Sequence, residues 1–504
     1  MTFSTTSPLD GTALDPIEPT ETSAIQAIVA DARNAQPEWA AKSPAERIEA
    51  ITKVKDRVLD RAELIAKTLK SELGKPETES LLAEVLPSGD VVDFWCKSIE
   101  ELLEEQEVEL DALAYPGKRG AIRREPRGVI GVIMPWNFPI ALPLRTIIPA
   151  LLAGNAVVFK PSEVSPRAGK IIGDLFDGVV PKGVFTVVQG GRDAGAALCE
   201  ADVDLVVFTG SVAAGKKVAH ACAERLIPCS LELGGKDAAI VLADANLERA
   251  ANGVVWGAMS NAGQNCAAIE RVYVDKSIAD AFSKKVAEIT KSLKFGDDIG
   301  PLATEAQRET VKKHVDGADG EILAGGKSLD KGYGYEPTVL KVKSDDVPLM
   351  QDETFGPVLP IHVVSGEDEA VKLANDSKYG LTASVWTKDI EKGKRVAMRL
   401  RAGVVTVNNH AFTGALPQAP WSGFGETGYG ITNSPLALDA MTRPRFVLVD
   451  SNRAKRELWW YPYTPALRMV ALSFAKLRSG GTPIGEKIRA VFSLVSAFIA
   501  RMRE

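Results

Sequence analysis

The sequence predicts an α/β protein: two doubly wound α/β domains meeting near residue 235, followed by a basic amphipathic helical C-terminal tail. Three observations predict it. From Gly128 onward, short apolar runs bounded by Gly and Pro alternate with helix-like stretches, and the alternation is renewed after Lys236. Strands buried on both faces of a parallel sheet read as such unbroken apolar runs. Beyond Ser451 the texture changes to helical periodicity with an excess of Lys and Arg. At 504 residues, 45% apolar and 25% charged, the chain has ordinary globular composition and enough length for several domains.

The elements follow in order. Ser43-Pro44-Ala45-Glu46 is a capping box with proline at the first helical position. Apolar residues then recur at Ile48, Ile51, Val54 and Val58, the spacing of one helix face. A second helix is expected over 78–106. Lys118–Pro126 reads as a strand with basic alternation, either an edge arm that pairs with another subunit or a surface hairpin. The first set of buried strands comprises Val129–Ile133, Ala156–Phe159, Phe185–Val188 and Leu205–Phe208, with a helix-like stretch at Arg167–Phe176. The second set comprises Ala238–Val241, Arg271–Val274 and Gly403–Val407. There is no internal repeat and no low-complexity linker.

Charge and cysteine usage narrow the function classes. The net charge is −6, yet residues 451–504 carry ten Lys+Arg against three Asp+Glu, leaving an acidic body and a basic tail. No nucleic-acid partner is expected. The five cysteines (96, 199, 222, 229, 266) are odd in number and show no C-x-x-C spacing, and Met1–Thr20 lacks the apolar core of a signal peptide. Reduced thiols in a cytoplasmic protein are the expectation. No run of 18 apolar residues is present, and the four histidines are scattered, so neither a membrane span nor a metal site is expected.

Four segments carry chemistry. Cys266 lies in Gly263-Gln264-Asn265-Cys266-Ala267-Ala268. A free cysteine is most often a small buried hydrophobe. Here Gly263 permits close backbone approach and two alanines leave room beside the sulfur, which fits a nucleophile. Glu232 lies in Leu231-Glu232-Leu233-Gly234-Gly235-Lys236, thirty-four residues earlier. Its leucine neighbours argue for a buried strand, and a carboxylate in an apolar site has a raised pKa and serves as a base near neutral pH. Asn137, in Pro135-Trp136-Asn137-Phe138-Pro139, has little freedom and suits a preorganised donor to an oxyanion; a turn asparagine is the commoner use. Phe208–Gly215 opens a helix directly after a strand, where N–H groups approach phosphates, although it is not G-x-G-x-x-G.

Taken together, these segments resemble the aldehyde dehydrogenase superfamily. The resemblance runs from about Glu21 to about Val449. Six motifs carry it in the family's order: Pro135–Pro139, Lys160-Pro161-Ser162-Glu163, Phe208–Gly215, Leu231–Lys236, Gly263–Cys266 and Glu353-Thr354-Phe355-Gly356-Pro357-Val358. The resemblance implies Cys266 as the nucleophile toward an aldehyde, and Asn137 with the Cys266 N–H as the oxyanion hole. Glu232 is implied as the base that activates water against a thioester. Lys160 and Glu163 are implied as ligands of the adenosine ribose, and Glu353 as ligand of the nicotinamide ribose with Phe355 beside it. Gly210, Ser211, Gly215 and Trp136 are implied near the pyrophosphate. It also implies a cofactor-binding domain (1–107 and 127–235), a catalytic domain (236–427), a bridging β arm (108–126 and 428–450) and a homodimer or homotetramer. The carboxylate of Glu163 would repel a 2′-phosphate, which favours NAD, with NADP as the alternative beside Lys160.

The chain departs from the family pattern at Val212, where many relatives have a hydroxyl, and at Ser422 and Thr427 in Pro420–Gly428. The Asn408–Pro417 loop has no Arg or Lys for a carboxylate substrate, which argues against a succinate-semialdehyde dehydrogenase; Arg145 is the remaining candidate for that role. In the tail, Leu458–Tyr463 is an aromatic cluster, and Ile484, Ile488, Val491, Val495, Phe498 and Met502 form one apolar stripe. Two readings stand: a helix pair docked on protein, or an interfacial pair on anionic membrane that places the protein at the inner face of a membrane. The expected activity is oxidation of an aldehyde, medium- to long-chain or aromatic, to its acid. A non-redox thiol esterase and a membrane-associated scaffold are the rivals from other classes.

Overall fold

The computed structural model describes residues 5–112, 114–410, 412–453 and 455–503, with side chains to residue 501. The chain divides into two compact units, one of Met1–Glu105 and Arg123–Arg445, the other of Gln106–Ile122 and Phe446–Glu504.

The N-terminal segment is helical. Helix Ile25–Ala41 precedes helix Pro44–Asp60, whose capping box forms as expected: Ser43 Oγ accepts from the Glu46 N–H and Glu46 accepts from the Ser43 N–H. Helix Ala62–Leu73 stops at Gly74, in the left-handed conformation at φ 71°. The expected 78–106 helix is Glu77–Leu102, and it contains a π turn at Leu81–Val85.

Strands β1 (Gln106–Val108) and β2 (Lys118–Pro126) come next. The first set of buried strands is β3 (Val129–Ile133), β4 (Ala156–Lys160), β5 (Phe185–Val187), β6 (Leu205–Thr209) and β7 (Cys229–Glu232). The second is β8 (Asp237–Val241), β9 (Ile269–Asp275), β10 (Gly320–Ala324), β11 (Thr338–Val342), β12 (Val358–Val364), β13 (Thr382–Trp386) and β14 (Val404–Val407). β15 (Gly428–Tyr429) and β16 (Thr442–Asp450) complete the strands.

Among the described residues three sheets result, in the orders β15-β7-β6-β3-β4-β5, β10-β11-β12-β9-β8-β13-β14 and β1-β2-β16. β3 to β7 pair in parallel, as do β8, β9 and β11 to β14, with antiparallel β15 and β10 at the edges. Each large sheet is buried on both faces, which explains the unbroken apolar runs. Ile130, Val132, Val157 and Phe159 enter one core, while Val129, Ile133, Ala156 and Val158 enter the core on the opposite face. Ala239 and Val241 likewise separate from Ala238 and Ile240.

β10 to β13 went unread because polar or proline residues interrupt them. β12 contains Pro360 and His362, and β13 alternates Thr382 and Ser384 with apolar residues. Burial on both faces compensates: Ser384 is fully buried, and its hydroxyl accepts from the Trp386 indole N–H at 3.1 Å.

In the smaller unit, β1 and β2 are antiparallel, and Lys118 pairs with Asp450 at 3.0 Å and Glu457 at 2.8 Å. Helices Pro465–Arg478 and Ile484–Arg503 pack on each other. Apart from Arg501, which donates to the Trp460 carbonyl at 2.6 Å, the residues they bury are small or medium: Val470, Ser473, Ala490 and Ala497. Ile484, Ile488, Val491, Phe492, Val495, Phe498 and Ile499 stay exposed. The side chain of Met502 lies outside the described residues. Among the described residues, no helix is long and apolar enough to cross a membrane.

Candidate active site

Cys266 follows a strained turn. Asn261 (φ 55°), Ala262 (φ 53°) and Gly263 (φ 69°) are successive left-handed residues after helix Leu247–Met259. A Cβ on Gly263 would lie 2.0 Å from the Gly356 carbonyl oxygen, so glycine is required there. The turn is held by side chains. Asn261 Nδ2 donates to the carbonyls of Asn137 and Gln264, both at 2.9 Å. Gln264, nearly fully buried, donates to the Asn261 and Pro301 carbonyls and accepts from the Ala303 N–H at 2.8 Å.

Asn137 is buried, its Nδ2 donates to the Gln264 carbonyl at 3.2 Å, and its Oδ1 has no hydrogen-bond partner among the described residues. Its own carbonyl accepts from Lys75 Nζ at 2.7 Å. Lys75 is paired at 2.6 Å with Glu84, and neither side chain is exposed. The other Glu84 oxygen accepts from the Ile140 and Ala141 N–H groups, at 3.1 and 2.9 Å, which open helix Ala141–Leu152. One buried ion pair thus fixes both ends of the Asn137 segment, and Glu84 reaches it from the π turn, a feature frequent at functional sites. Sequence reasoning missed Lys75, Glu84 and Asn261, because the Asn137–Ala141 segment that they hold lies more than fifty residues away in the chain.

Glu232 ends β7 and is 8% exposed. Burial pushes its carboxyl up, while Arg145 and the Thr432 hydroxyl, which donates to Oε1, pull it back. Arg145 is itself buried, donates to the Gly414 carbonyl and lies 5.9 Å from the Trp421 ring centre. The Cys266 thiol is pushed up by burial and then by Glu232, Asp237 and Glu353, with Arg145 opposing. Thr427, at a position where the chain departs from the family pattern, accepts from the Leu233 and Gly380 N–H groups and donates to the Gly234 carbonyl at 2.9 Å. It pins the turn that follows Glu232.

A cavity of about 760 Å³ opens at Cys266. Asn137, Trp136, Lys160, Glu163, Gly210, Ser211, Glu353 and Phe355 all line it. Lys160 Nζ and Glu163 Oε2 are 3.1 Å apart. Ser211 caps helix Val212–Glu224, accepting from the Ala214 N–H. Phe355 is left-handed (φ 51°), and its ring meets Trp136 edge-on at 5.7 Å. Glu353 accepts from the Gly235 N–H at 2.9 Å; burial, then Glu270, pushes it up to about 8. Glu270, paired with buried Lys236 at 2.5 Å, accepts from the Thr354 and Phe355 N–H groups and so sets the turn beside the cavity. Gly215 and Glu232 do not line this cavity. At Gly215 a Cβ would meet Leu233 at 2.4 Å, so its glycine serves helix-to-strand packing.

The cavity fits a dinucleotide. A helix N-terminus with an exposed Ser211 suits a pyrophosphate, two carboxyls (Glu163, Glu353) suit ribose hydroxyls, and a side chain at Gly234 would fill the space at Glu353 Oε2, 2.5 Å away. Among the described residues there is no group of three or more metal-ligating side chains.

Comparison with known proteins agrees with this geometry. Residues 1–447 match the model of the "Aldehyde dehydrogenase family". The chain is 35% identical over 469 residues to 4,4'-diapolycopene aldehyde oxidase from Methylomonas sp, covering 92% of this chain and 88% of that protein. It is 38% identical over 428 residues to a Mycobacterium ulcerans (strain Agy99) protein provisionally named succinate-semialdehyde dehydrogenase of the NADP(+) type, covering 82% of each. The crystal structure of a Mycobacterium tuberculosis aldehyde dehydrogenase complexed with NAD+ superposes with TM-score 0.85 at 32% identity, covering 90% of this chain and 96% of that one.

Proposed function

The chain belongs to the aldehyde dehydrogenase family, and from that premise we propose that it oxidises an aldehyde to the carboxylic acid with NAD(P)+ through a thioester on Cys266. The observation that carries the reading is the cavity that Cys266 and Asn137 line together with the residues suited to a dinucleotide. Cys266 adds to the aldehyde carbon, and the Asn137 amide stabilises the resulting oxyanion, a contact whose removal costs about 3–4 kcal/mol in measured cases. Bound NAD(P)+ supplies the hydride acceptor. Glu232, raised by burial, takes the proton of the water that hydrolyses the thioester. Trp136, Lys160, Glu163, Gly210, Ser211, Glu353 and Phe355 hold the dinucleotide, with Gly215 acting through helix packing. The cofactor-binding domain is assigned to 1–107 and 127–235, and the catalytic domain to 236–427. Glu163 favours NAD; its pairing with Lys160 leaves NADP open.

A medium- to long-chain apolar or aromatic aldehyde is the substrate class, in keeping with the diapolycopene aldehyde oxidase relative. A second reading has one specific support: buried Arg145 sits close enough to Glu232 and Cys266 to interact with both, where it would meet a substrate carboxylate such as that of succinate semialdehyde. NADH formation measured across apolar, aromatic and carboxylated aldehydes tests the assignment. The highest kcat/KM is expected for an apolar aldehyde, and no NADH is expected from Cys266→Ala. NADH from that variant would overturn the mechanism, and a non-redox thiol esterase would form no NADH with any aldehyde.

The tail is assigned peripheral contact with anionic membrane. Its exposed Ile488, Phe492 and Val495, the exposed Trp459, Trp460, Tyr461 and Tyr463, and the basic excess of residues 451–504 support this. The full-length protein should co-sediment with phosphatidylserine-containing vesicles, to whose negative surface a basic segment is attracted, and far less after Ile488→Glu with Phe492→Glu. Equal sedimentation of the two proteins would reject the assignment. Assembly as a homodimer or homotetramer remains part of the proposal.

A further inference from the structure

Three cysteines that the reaction does not use gather behind the first sheet. Cys222 lies in the last turn of helix Val212–Glu224, Cys229 begins β7, and Cys199 belongs to the same apolar cluster. The turn between the first two is short: the Ile227 N–H donates to the Cys222 carbonyl at 3.1 Å. Cys222 is buried, and Cys229 packs against the apolar cluster to which Cys222 belongs. On its other side Cys229 Sγ lies 3.1 Å from the hydroxyl of Tyr429, which β15 delivers by pairing with β7. Cys229 is half-buried, so a small reagent reaches it.

We propose that Cys222 and Cys229 are a reversible oxidation site that takes a low-molecular-weight disulfide as oxidant. Cys229 is the attacking thiol and Cys222 the resolving one. In the first step the Cys229 sulfur forms a bond to one oxidant sulfur. The oxidant S–S bond breaks, and the departing thiolate takes up the proton that Cys229 released. In the second step the Cys222 sulfur bonds to the Cys229 sulfur, and the second small thiol leaves with the Cys222 proton. Two protein thiols lose two electrons and one small disulfide becomes two thiols, so the step balances.

The surroundings agree with this division of roles. The contact with Cys222 and then the Tyr429 hydroxyl hold the Cys229 thiol down, to about 6, against its partial burial. Cys222 is pushed up by its contact with Cys229 and by burial, and Cys199 is raised to about 11 by burial. Cys266 is raised as well. Thiolate character decides which thiol attacks, so Cys229 is selected among these four. Transient, redox-responsive pairs of this kind are the form in which disulfides occur in reducing compartments.

The test uses the full-length protein and glutathione disulfide at neutral pH, followed by acid quench, alkylation, digestion and peptide mass analysis. The expected product is a Cys222–Cys229 linked peptide that dithiothreitol returns to two free thiols. Cys222→Ser should instead retain a glutathione adduct on Cys229, and Cys229→Ser should leave Cys222 free. The wild-type arm is decisive even if a variant fails to fold. Both thiols recovered free after exhaustive incubation, or Cys229 stopping at the glutathione adduct with Cys222 in place, would overturn the proposal.

Discussion

Cys266 meets the free protein's interior as a thiol among carboxyl groups, with burial, Glu232, Asp237 and Glu353 all disfavouring the thiolate. Removing one of those charges should therefore lower the pH at which the sulfur ionises. In Glu232→Gln the midpoint of Cys266 alkylation by iodoacetamide is expected to shift to lower pH, whereas an unchanged midpoint would show that Glu232 does not act on the thiol. His410 offers no competing inflection: burial pulls it down to about 4, and Nε2 is 2.7 Å from the Ala267 carbonyl oxygen. Cys266, Glu232 and Asn137 stood out in the sequence because each sits in a short local motif. Thr432, Glu270 and Lys236 were not, because nothing local marks a threonine two hundred residues from the carboxylate it touches or an ion pair closed across thirty-four residues. Lys236 was visible only as the end of the Glu232 motif.

At the scale of elements, the capping box followed from its four-residue motif, and the strands β3, β4, β6, β8 and β9 from their unbroken apolar runs. The π turn at Leu81–Val85 did not, since one extra residue in a helix leaves no mark on an apolar pattern. Its consequence is energetic. Glu84 and Lys75 are both fully buried, and taking away one partner strands the other's charge. Glu84→Gln should cost about 3–5 kcal/mol in urea unfolding, and pairing Glu84→Leu with Lys75→Met should recover most of that loss. If Glu84→Gln unfolds at the wild-type midpoint, the ion pair does not hold the Asn137 segment.

For the whole molecule, the division into two parallel sheets was readable from the repeated alternation of apolar runs and helices. The tail's periodicity was readable too, but which face it would bury was not. The structure shows Ala490 and Ala497 turned inward and Ile488, Phe492 and Val495 outward, the reverse of a pair that shields its large apolar side chains by its own packing. The smaller unit therefore presents an apolar surface beside a basic excess, while the larger one carries the reaction. The claim at the centre is a covalent bond between Cys266 and the oxidised substrate. It is tested most directly by mixing Glu232→Gln with NAD+ and a long-chain aldehyde, quenching within the first turnover and locating the acyl group by peptide mass analysis. An acyl thioester on Cys266, formed in step with one equivalent of NADH, is the predicted result; NADH released with Cys266 unmodified at every time point would contradict it.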